Sequence, residues 1–84
     1  MPIKVRKRDG RLEDFDKRKI VTGAVGSGCS FEEAKKLSDQ VMVWAQSNLH
    51  EGAVDSSEVR IKVLELMRSS NPVAASSFET YRKK

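Results

Sequence analysis

The sequence predicts an α+β fold in which an N-terminal β-hairpin packs as a lid on a bundle of about four helices. Three observations favour this class. Ile3 to Phe15 alternates around Asp9-Gly10, which is a strong signal for a hairpin. The chain after Phe15 carries apolar residues at helical spacing, interrupted by capping and turn residues. The 84 residues suffice for one modest core, so we expect a single domain over residues 1–84.

Two registers are compatible with the hairpin turn. A two-residue loop would direct Phe15 away from Ile3 and divide the apolar residues between two faces. A three-residue loop over residues 8–10, with the glycine in the left-handed region, pairs Ile3 with Phe15 and Val5 with Glu13. We favour the three-residue loop because it keeps the apolar residues on one face. An isolated two-stranded hairpin is marginal in water, so this face must pack on the helices.

The favoured register also displays charge at the tip of the hairpin. Lys7 falls on the same face as Val5 and Glu13, because side chains alternate along a strand. Arg8 lies in the loop and need not point away from Lys7. The hairpin can therefore hold two cations and a carboxylate above the surface on which its apolar base packs.

The first helix is predicted to begin after Asp16, a suitable N-cap residue. It carries apolar residues on a 3-4 spacing and ends at Gly26-Ser27-Gly28. The basic residues 17–19 occupy its first turn, where they oppose the helix dipole. A bound anion would offset these charges, so the pattern favours a negatively charged ligand nearby.

The second helix is predicted from the capping box of Ser30 and Glu33. We expect it to continue until Gly52. Its expected apolar stripe consists of Phe31, Ala34, Leu37, Val41, Trp44 and Ala45.

Asp55 and Glu58 are predicted to form another capping box, at the start of a third helix. Asn71-Pro72 then separates the third helix from a short fourth helix, in which proline occupies the first position. Just before the third helix, Ala53-Val54 could add a brief third strand beside the hairpin. The residues expected to face inward from the third helix are Val59, Val63, Leu66 and Met67, and the apolar residues of the fourth helix are Val73, Ala74, Phe78 and Tyr81.

Charge and cysteine content restrict the function. Sixteen Lys and Arg against twelve Asp and Glu give a net charge of +4, which favours anionic partners such as nucleotides or nucleic acid. The single cysteine, Cys29, excludes an internal disulfide and a multi-cysteine zinc site, and it fits a reducing cytoplasm. No apolar run approaches the roughly 18 residues of a membrane span, so we expect a cytoplasmic protein with no membrane partner.

No pattern typical of an active site is present in the sequence. Gly26-Ser27-Gly28 lacks the Gly-Lys-Ser/Thr ending of a P-loop. Cys29 and His50 lack the companion residues that a nucleophile or a metal site requires. We therefore expect neither catalytic residues nor enzyme activity, and no protein-held metal.

Three segments resemble a known family. The run Val5-Arg6-Lys7-Arg8-Asp9-Gly10, followed by Glu13, Phe15-Asp16 and Lys19-Ile20, is similar to the opening signature of the ATP-cone. This is the nucleotide-binding regulatory domain of ribonucleotide reductases and their transcriptional repressor. The later "VDSSEVRIKVLE" and "SSFETYRKK" resemble its third helix and its closing segment.

The resemblance implies an allosteric module that binds ATP or dATP, with Mg²⁺ carried on the phosphates. It implies that the hairpin cations meet phosphates and that positions in the third helix and at the C-terminus complete the site. The nucleotide-binding residues that it implies are Val5, Lys7, Arg8, Glu13, Asp16, Lys19, Ser56, Arg60 and Lys83. Relatives carry this domain fused to a reductase, a kinase-like domain or a zinc ribbon, and these 84 residues contain no sequence expected for one. We therefore expect a protein partner in trans or a homo-oligomer.

Two other functions stay open. A small nucleic-acid-binding protein could use the basic hairpin as a wing beside its helices, although the modest net charge counts against it. A cone that no longer binds nucleotide could serve as a protein interaction module, with Lys7 and Arg8 only solubilising and Ser56 only a cap. The basic surface of the nucleic-acid alternative would comprise Arg6, Arg8, Arg11, Lys17 and Arg18.

Overall fold

The computed structural model describes residues 3–81 and confirms the α+β class. One three-stranded sheet, in the order β2-β1-β3, packs against four helices. The strands are β1 (Lys4–Arg6), β2 (Leu12–Asp14) and β3 (Ala53–Asp55). The helices are α1 (Lys17–Gly26), α2 (Phe31–Gln46), α3 (Ser56–Ser70) and α4 (Pro72–Tyr81).

The hairpin adopts the predicted three-residue loop. Val5 lies opposite Glu13, and the Phe15 N–H donates to the Ile3 carbonyl at 2.8 Å. The loop is closed by a hydrogen bond of 2.8 Å from the Lys7 N–H to the carbonyl of residue 11. The loop glycine, Gly10, has a φ of +91°, a conformation that other residues adopt only at a cost. The apolar residues therefore share one face, as predicted.

The third strand joins the hairpin to the start of α3. Strand β3 pairs with β1 in parallel, with Val5 opposite Val54 and Arg6 opposite Asp55. The Arg6 guanidinium donates to the Asp55 carboxylate at 3.1 Å and to the His50 carbonyl at 3.4 Å. Since α3 begins at the residue after Asp55, the sheet fixes the position of that helix start.

Two of the three predicted helix caps are confirmed. Asp16 accepts a hydrogen bond from the N–H of residue 18, and Ser30 and Glu33 form the reciprocal capping box. Asp55 occupies the N-cap position of α3, but its side chain makes no capping hydrogen bond. The prediction of a second capping box is wrong, because the Asp55 carboxylate accepts a hydrogen bond from the Arg6 guanidinium instead.

The predicted length of α2 is also wrong, and two apolar residues of the predicted helices are largely exposed. Helix α2 ends at Gln46, where the Asn48 amide donates to the Trp44 carbonyl at 2.7 Å and replaces the next helical bond. Phe31 lies on the border of the buried stripe and is 64% exposed. Val73, in the first turn of α4, is 78% exposed.

The core consists of two clusters that share bridging residues. The larger cluster includes the fully buried Met67 and Val41, and it lies among the four helices. The smaller cluster includes Ile3 and Val54 and lies beneath the sheet. Phe15, Trp44 and Val59 pack against both clusters, so the sheet and the helices share apolar contacts. Among helices within residues 3–81, none has the length and apolar character needed to cross a bilayer.

Candidate functional site

A cavity of about 580 Å³ opens between the hairpin loop, α1, α3 and α4. Four cationic side chains line it from three parts of the chain. Its other walls include apolar side chains from α1, α3 and α4. The cations are Lys7, Arg8, Lys19 and Arg60, and the apolar side chains include Ile20, Val59, Val63 and Phe78.

Two of these cations are held loosely by one carboxylate. The Lys7 and Lys19 ammonium groups lie 3.9 and 3.8 Å from the same oxygen of Glu13. These distances allow charge attraction but exceed those of hydrogen bonds. Both ammonium groups therefore keep their donors for other acceptors, while Glu13 draws the hairpin and the first turn of α1 together.

The start of α3 forms a second polar element of the cavity. Ser56 and Ser57, its first two residues, line the cavity wall. The first N–H groups of a helix have no partner within the helix, and the positive end of its dipole attracts anions. Because the Asp55 side chain does not cap α3, it does not compete for these donors. The cavity thus combines cationic side chains with an open helix start, a pairing suited to phosphate groups.

Arg60 and Phe78 form the wall contributed by α3 and α4. The Arg60 guanidinium carbon lies 5.1 Å from the centre of the Phe78 ring, within the range of a cation–π contact. Its Nη2 also donates to the Glu79 carbonyl at 3.4 Å. Gly23 on α1 lets the ring approach closely, because a Cβ at that position would lie 3.3 Å from the Phe78 Cε1 atom.

A smaller cavity of about 130 Å³ adjoins the first and shares Lys7, Lys19 and Ser56 with it. Of these two cavities, the smaller one is lined by Val5, Glu13 and Asp16, and the larger one is not. Eight of the nine residues implied by the resemblance therefore line two adjoining cavities. The ninth, Lys83, lies outside the described residues.

Some cavity residues were not among those predicted for the site. Ser57 lines the cavity beside Ser56, and the pair of serines at a predicted helix start was an available signal for it. Ile61 also lines it, although its side chain is largely exposed. Ile20 belongs to the apolar 3-4 spacing of the first helix and Phe78 to the apolar residues of the fourth, and sequence spacing does not distinguish a core position from a cavity wall.

Asp16 links the cavity to the start of α1. The Arg18 side chain and the Arg18 backbone N–H donate hydrogen bonds to its carboxylate, and they hold the pKa of Asp16 below its ordinary value of 3.8. Asp16→Ala is expected to destabilise the fold at neutral pH, because α1 loses its cap. The depressed pKa makes the carboxylate's contribution complete above pH 3.8 and lost as the pH falls through the folded-state pKa.

The stability difference between wild type and Asp16→Ala should therefore narrow below pH 3.8. Urea unfolding of both proteins in a pH series that crosses this value measures it. A difference that stays constant across the series would contradict the assigned role of the Asp16 charge.

Other side chains that chemistry often uses show no site. Cys29 is buried, and burial together with the nearby Glu33 charge raises the pKa of its thiol, which disfavours the reactive thiolate. His50 lies in the turn before β3, four residues beyond the end of α2, where its backbone bridges to Ala53. Within residues 3–81, no three His, Cys, Asp or Glu side chains cluster so that they could hold a metal ion.

Most of the cations suggested for nucleic-acid binding are matched by carboxylates. Of those five, Arg8 alone lines the large cavity. The other four each form an ion pair within the described part of the chain, so their charge is largely offset locally. The pairs are Arg6–Asp55, Arg11–Asp9, Lys17–Asp39 and Arg18–Asp16.

Comparisons with known proteins agree with the site's chemistry. A family model described as the ATP cone domain matches residues 3–84. An uncharacterized protein of Archaeoglobus fulgidus is 44% identical over 39 residues, which cover 46% of this chain and 83% of that protein.

Proposed function

This chain belongs to the ATP-cone domain family, and from that premise we propose that it binds ATP or dATP in the large cavity and transmits this binding to a partner protein or to a second copy. ATP-cone domains are regulatory, nucleotide-binding modules rather than catalytic ones, and they generally bind ATP or dATP. The observation that carries the proposal is the convergence of Lys7, Arg8 and Lys19 with the start of α3 on one cavity.

The polar half of the cavity suits a triphosphate. Lysine is a compact charge for phosphate oxygens, and arginine offers a planar fork of donors. Lys7 and Lys19 can exchange their loose contacts with Glu13 for contacts with phosphate. In this proposal Mg²⁺ arrives on the phosphates, because the described residues gather no group of three candidate ligands of their own.

The apolar half of the cavity suits a nucleobase. Ile20, Val63 and Phe78 provide surfaces against which a flat ring can be buried. Small-molecule sites commonly combine such apolar walls with a few placed polar groups. The base would lie toward α4, and the phosphates would lie toward the hairpin loop and α3.

The regulatory step would be a change in how the hairpin sits over the helices. A ligand held by both the loop and the start of α3 favours whichever arrangement brings these two parts together. It can shift the balance only by its difference in affinity for the two arrangements. ATP and dATP differ at the ribose 2′ position, so a contact there would make their effects differ.

Thermal unfolding with ATP, dATP, GTP or no nucleotide, each with Mg²⁺, tests the proposal. A nucleotide present at about 100 times its Kd should stabilise the fold by about 2.7 kcal/mol, which is several degrees for a domain of this size. We expect this rise for ATP or dATP and a smaller one for GTP. No rise with any nucleotide would contradict the proposal and favour a cone that serves only as an interaction module.

A salt series separates this proposal from nucleic-acid binding. Binding to a DNA duplex through several phosphates weakens steeply as salt rises, because each contact releases counterions. A single nucleotide should show a shallower dependence and a preference for its base. Tight duplex binding with a steep salt slope and no base preference among nucleotides would contradict the proposal.

A further inference from the structure

A second groove lies between α1 and α2 and shares no lining residue with the nucleotide cavity. It has a volume of about 440 Å³. Its apolar lining residues include Val21 and Phe31, and its basic lining residues are Lys17, Arg18 and Lys35. Asp39 is the only carboxylate among its lining residues.

Phe31 is the feature that the fold does not explain. It is the first residue of α2 and is 64% exposed, while the capping box at Ser30 and Glu33 already defines the helix start. The larger core cluster contains Ala34, Leu37 and Val41 but not Phe31. Phenylalanine is enriched at protein interfaces relative to the rest of the surface.

The charges around the groove are unequal. Lys17 is offset by Asp39, with an ion pair of 2.9 Å. Lys35 forms no ion pair with any residue between 3 and 81, and Arg18 projects into solvent while it contacts Asp16. Three cations and one carboxylate thus line the groove, and Lys35 is the lining cation that has no ion pair among residues 3–81.

We propose that this groove binds an acidic segment of a partner protein, with an apolar side chain placed against Phe31 and Val21. A carboxylate flanking that side chain would meet Lys35, and a second would compete with Asp16 for the exposed side chain of Arg18. A second copy of this chain fits less well, because both copies would bring the same basic lining residues into the contact and each has a net charge of +4.

The groove lies where nucleotide binding in the cavity could change its affinity for a partner. Arg18 lines the groove, and the next residue, Lys19, lines the nucleotide cavity. The first turn of α1 thus belongs to both sites. This link rests on the proposed function, whereas binding of the acidic segment needs no nucleotide and can be tested separately.

The probe is a synthetic peptide of alternating Asp and Glu around a central Leu-Phe pair, titrated into ¹⁵N-labelled protein without nucleotide. We expect saturable shifts of backbone amide signals at residues 17–22 and 31–39. Two control peptides separate the apolar contribution from the charge contribution. One has Ser-Ser at the centre, and the other has Lys in place of the acidic residues. Both should bind much more weakly.

Matched variants locate the site. Phe31→Ser should weaken binding by about tenfold or more, as expected for an aromatic anchor. Val73→Ser, which removes an even more exposed apolar residue outside the groove, should leave binding unchanged. Lys35→Glu should weaken binding, whereas the same change at the neighbouring exposed Lys36, which does not line the groove, should have little effect.

Several outcomes would overturn the inference. These are an absence of shifts, equal binding by wild type and Phe31→Ser, or shifts centred on the hairpin cations. Groove signals that move with protein concentration alone would show that a second copy occupies it. Because Phe31 does not line the nucleotide cavity, its variant should keep any ATP-induced rise in melting temperature, so this inference and the proposed function can fail independently.

Discussion

The double variant Lys7→Ala/Arg8→Ala is expected to lose most of the rise in melting temperature that ATP or dATP gives to the wild-type chain. Both side chains line the cavity at the hairpin tip, and neither belongs to a core cluster. A hydrogen bond to a charged group contributes about 1.5–3 kcal/mol. Losing two such partners should raise the Kd by at least about 100-fold.

The size of this effect makes it easy to measure. At a nucleotide concentration that is about 100 times the wild-type Kd, a 100-fold weaker variant would be only half saturated. Its stabilisation would fall from about 2.7 to about 0.4 kcal/mol. Without nucleotide the variant should melt close to wild type, since the changes are on the surface.

The matched control is Lys4→Ala/Lys36→Ala, which removes the same charge from positions that line neither cavity. It should keep the nucleotide-dependent rise. If the control lost the rise as completely as the test variant, general charge rather than the cavity would be responsible. If the test variant kept the full rise, the hairpin cations would not bind phosphate.

Met67→Ala should produce the largest loss of stability among the changes considered for this chain. Met67 is fully buried on α3 within the larger core cluster. Truncating a buried methionine to alanine costs about 2–5 kcal/mol, because apolar contacts are lost and a cavity is left. Native domains are stable by only about 5–15 kcal/mol, so the variant could be largely unfolded near physiological temperature.

Urea unfolding of wild type, Met67→Ala and two comparison variants measures this effect. Met67→Leu keeps most of the volume and should cost less than about 1.5 kcal/mol. Ile61→Ala, at an exposed position of the same helix, should change stability by no more than about 0.5 kcal/mol. Equal costs for Met67→Ala and Ile61→Ala would contradict the central packing of α3.

The hairpin was predictable because two local signals agree. The turn sequence requires a glycine with positive φ, and the favoured register keeps Ile3, Val5 and Phe15 on one face. Capping residues gave the starts of α1 and α2 for the same reason, since each cap acts within its own helical turn. Local chemistry therefore defines these elements whatever surrounds them.

Two of the failed predictions, the Asp55 capping box and the place of Phe31 in the buried stripe, depend on distant parts of the chain, whereas the end of α2 depends on the nearby Asn48. Asp55 could not be recognised as a partner of Arg6 from local spacing, because the two residues are 49 positions apart. The burial of Phe31 depends on which ridge of α2 faces α1, and the helical spacing alone placed it with the core. The ion pairs that offset Arg6 and Lys17 are equally non-local.

The residues of the candidate site likewise fall into two groups, those that the local sequence identifies and those that only the folded arrangement identifies. Its charged residues stand out in sequence because cations near a turn resemble a known signature. Its apolar wall does not stand out, since Ile20 and Phe78 have the spacing of core residues. Only the folded arrangement shows that α1, α3 and α4 leave these side chains facing a cavity.

The parallel pairing of β1 with β3 has a consequence for the order of events in folding. The hairpin closes across a three-residue loop. The pairing of Val5 with Val54, by contrast, joins residues that lie 49 positions apart in the chain. Closing so long a loop is entropically costly until α1 and α2 have formed and shortened the distance between its ends. During synthesis, the N-terminal cations therefore leave the ribosome long before the residues of α3 and α4 that complete the cavity. We therefore expect the cavity to assemble only after the residues as far as Phe78 have been synthesised, and thus after the hairpin can close.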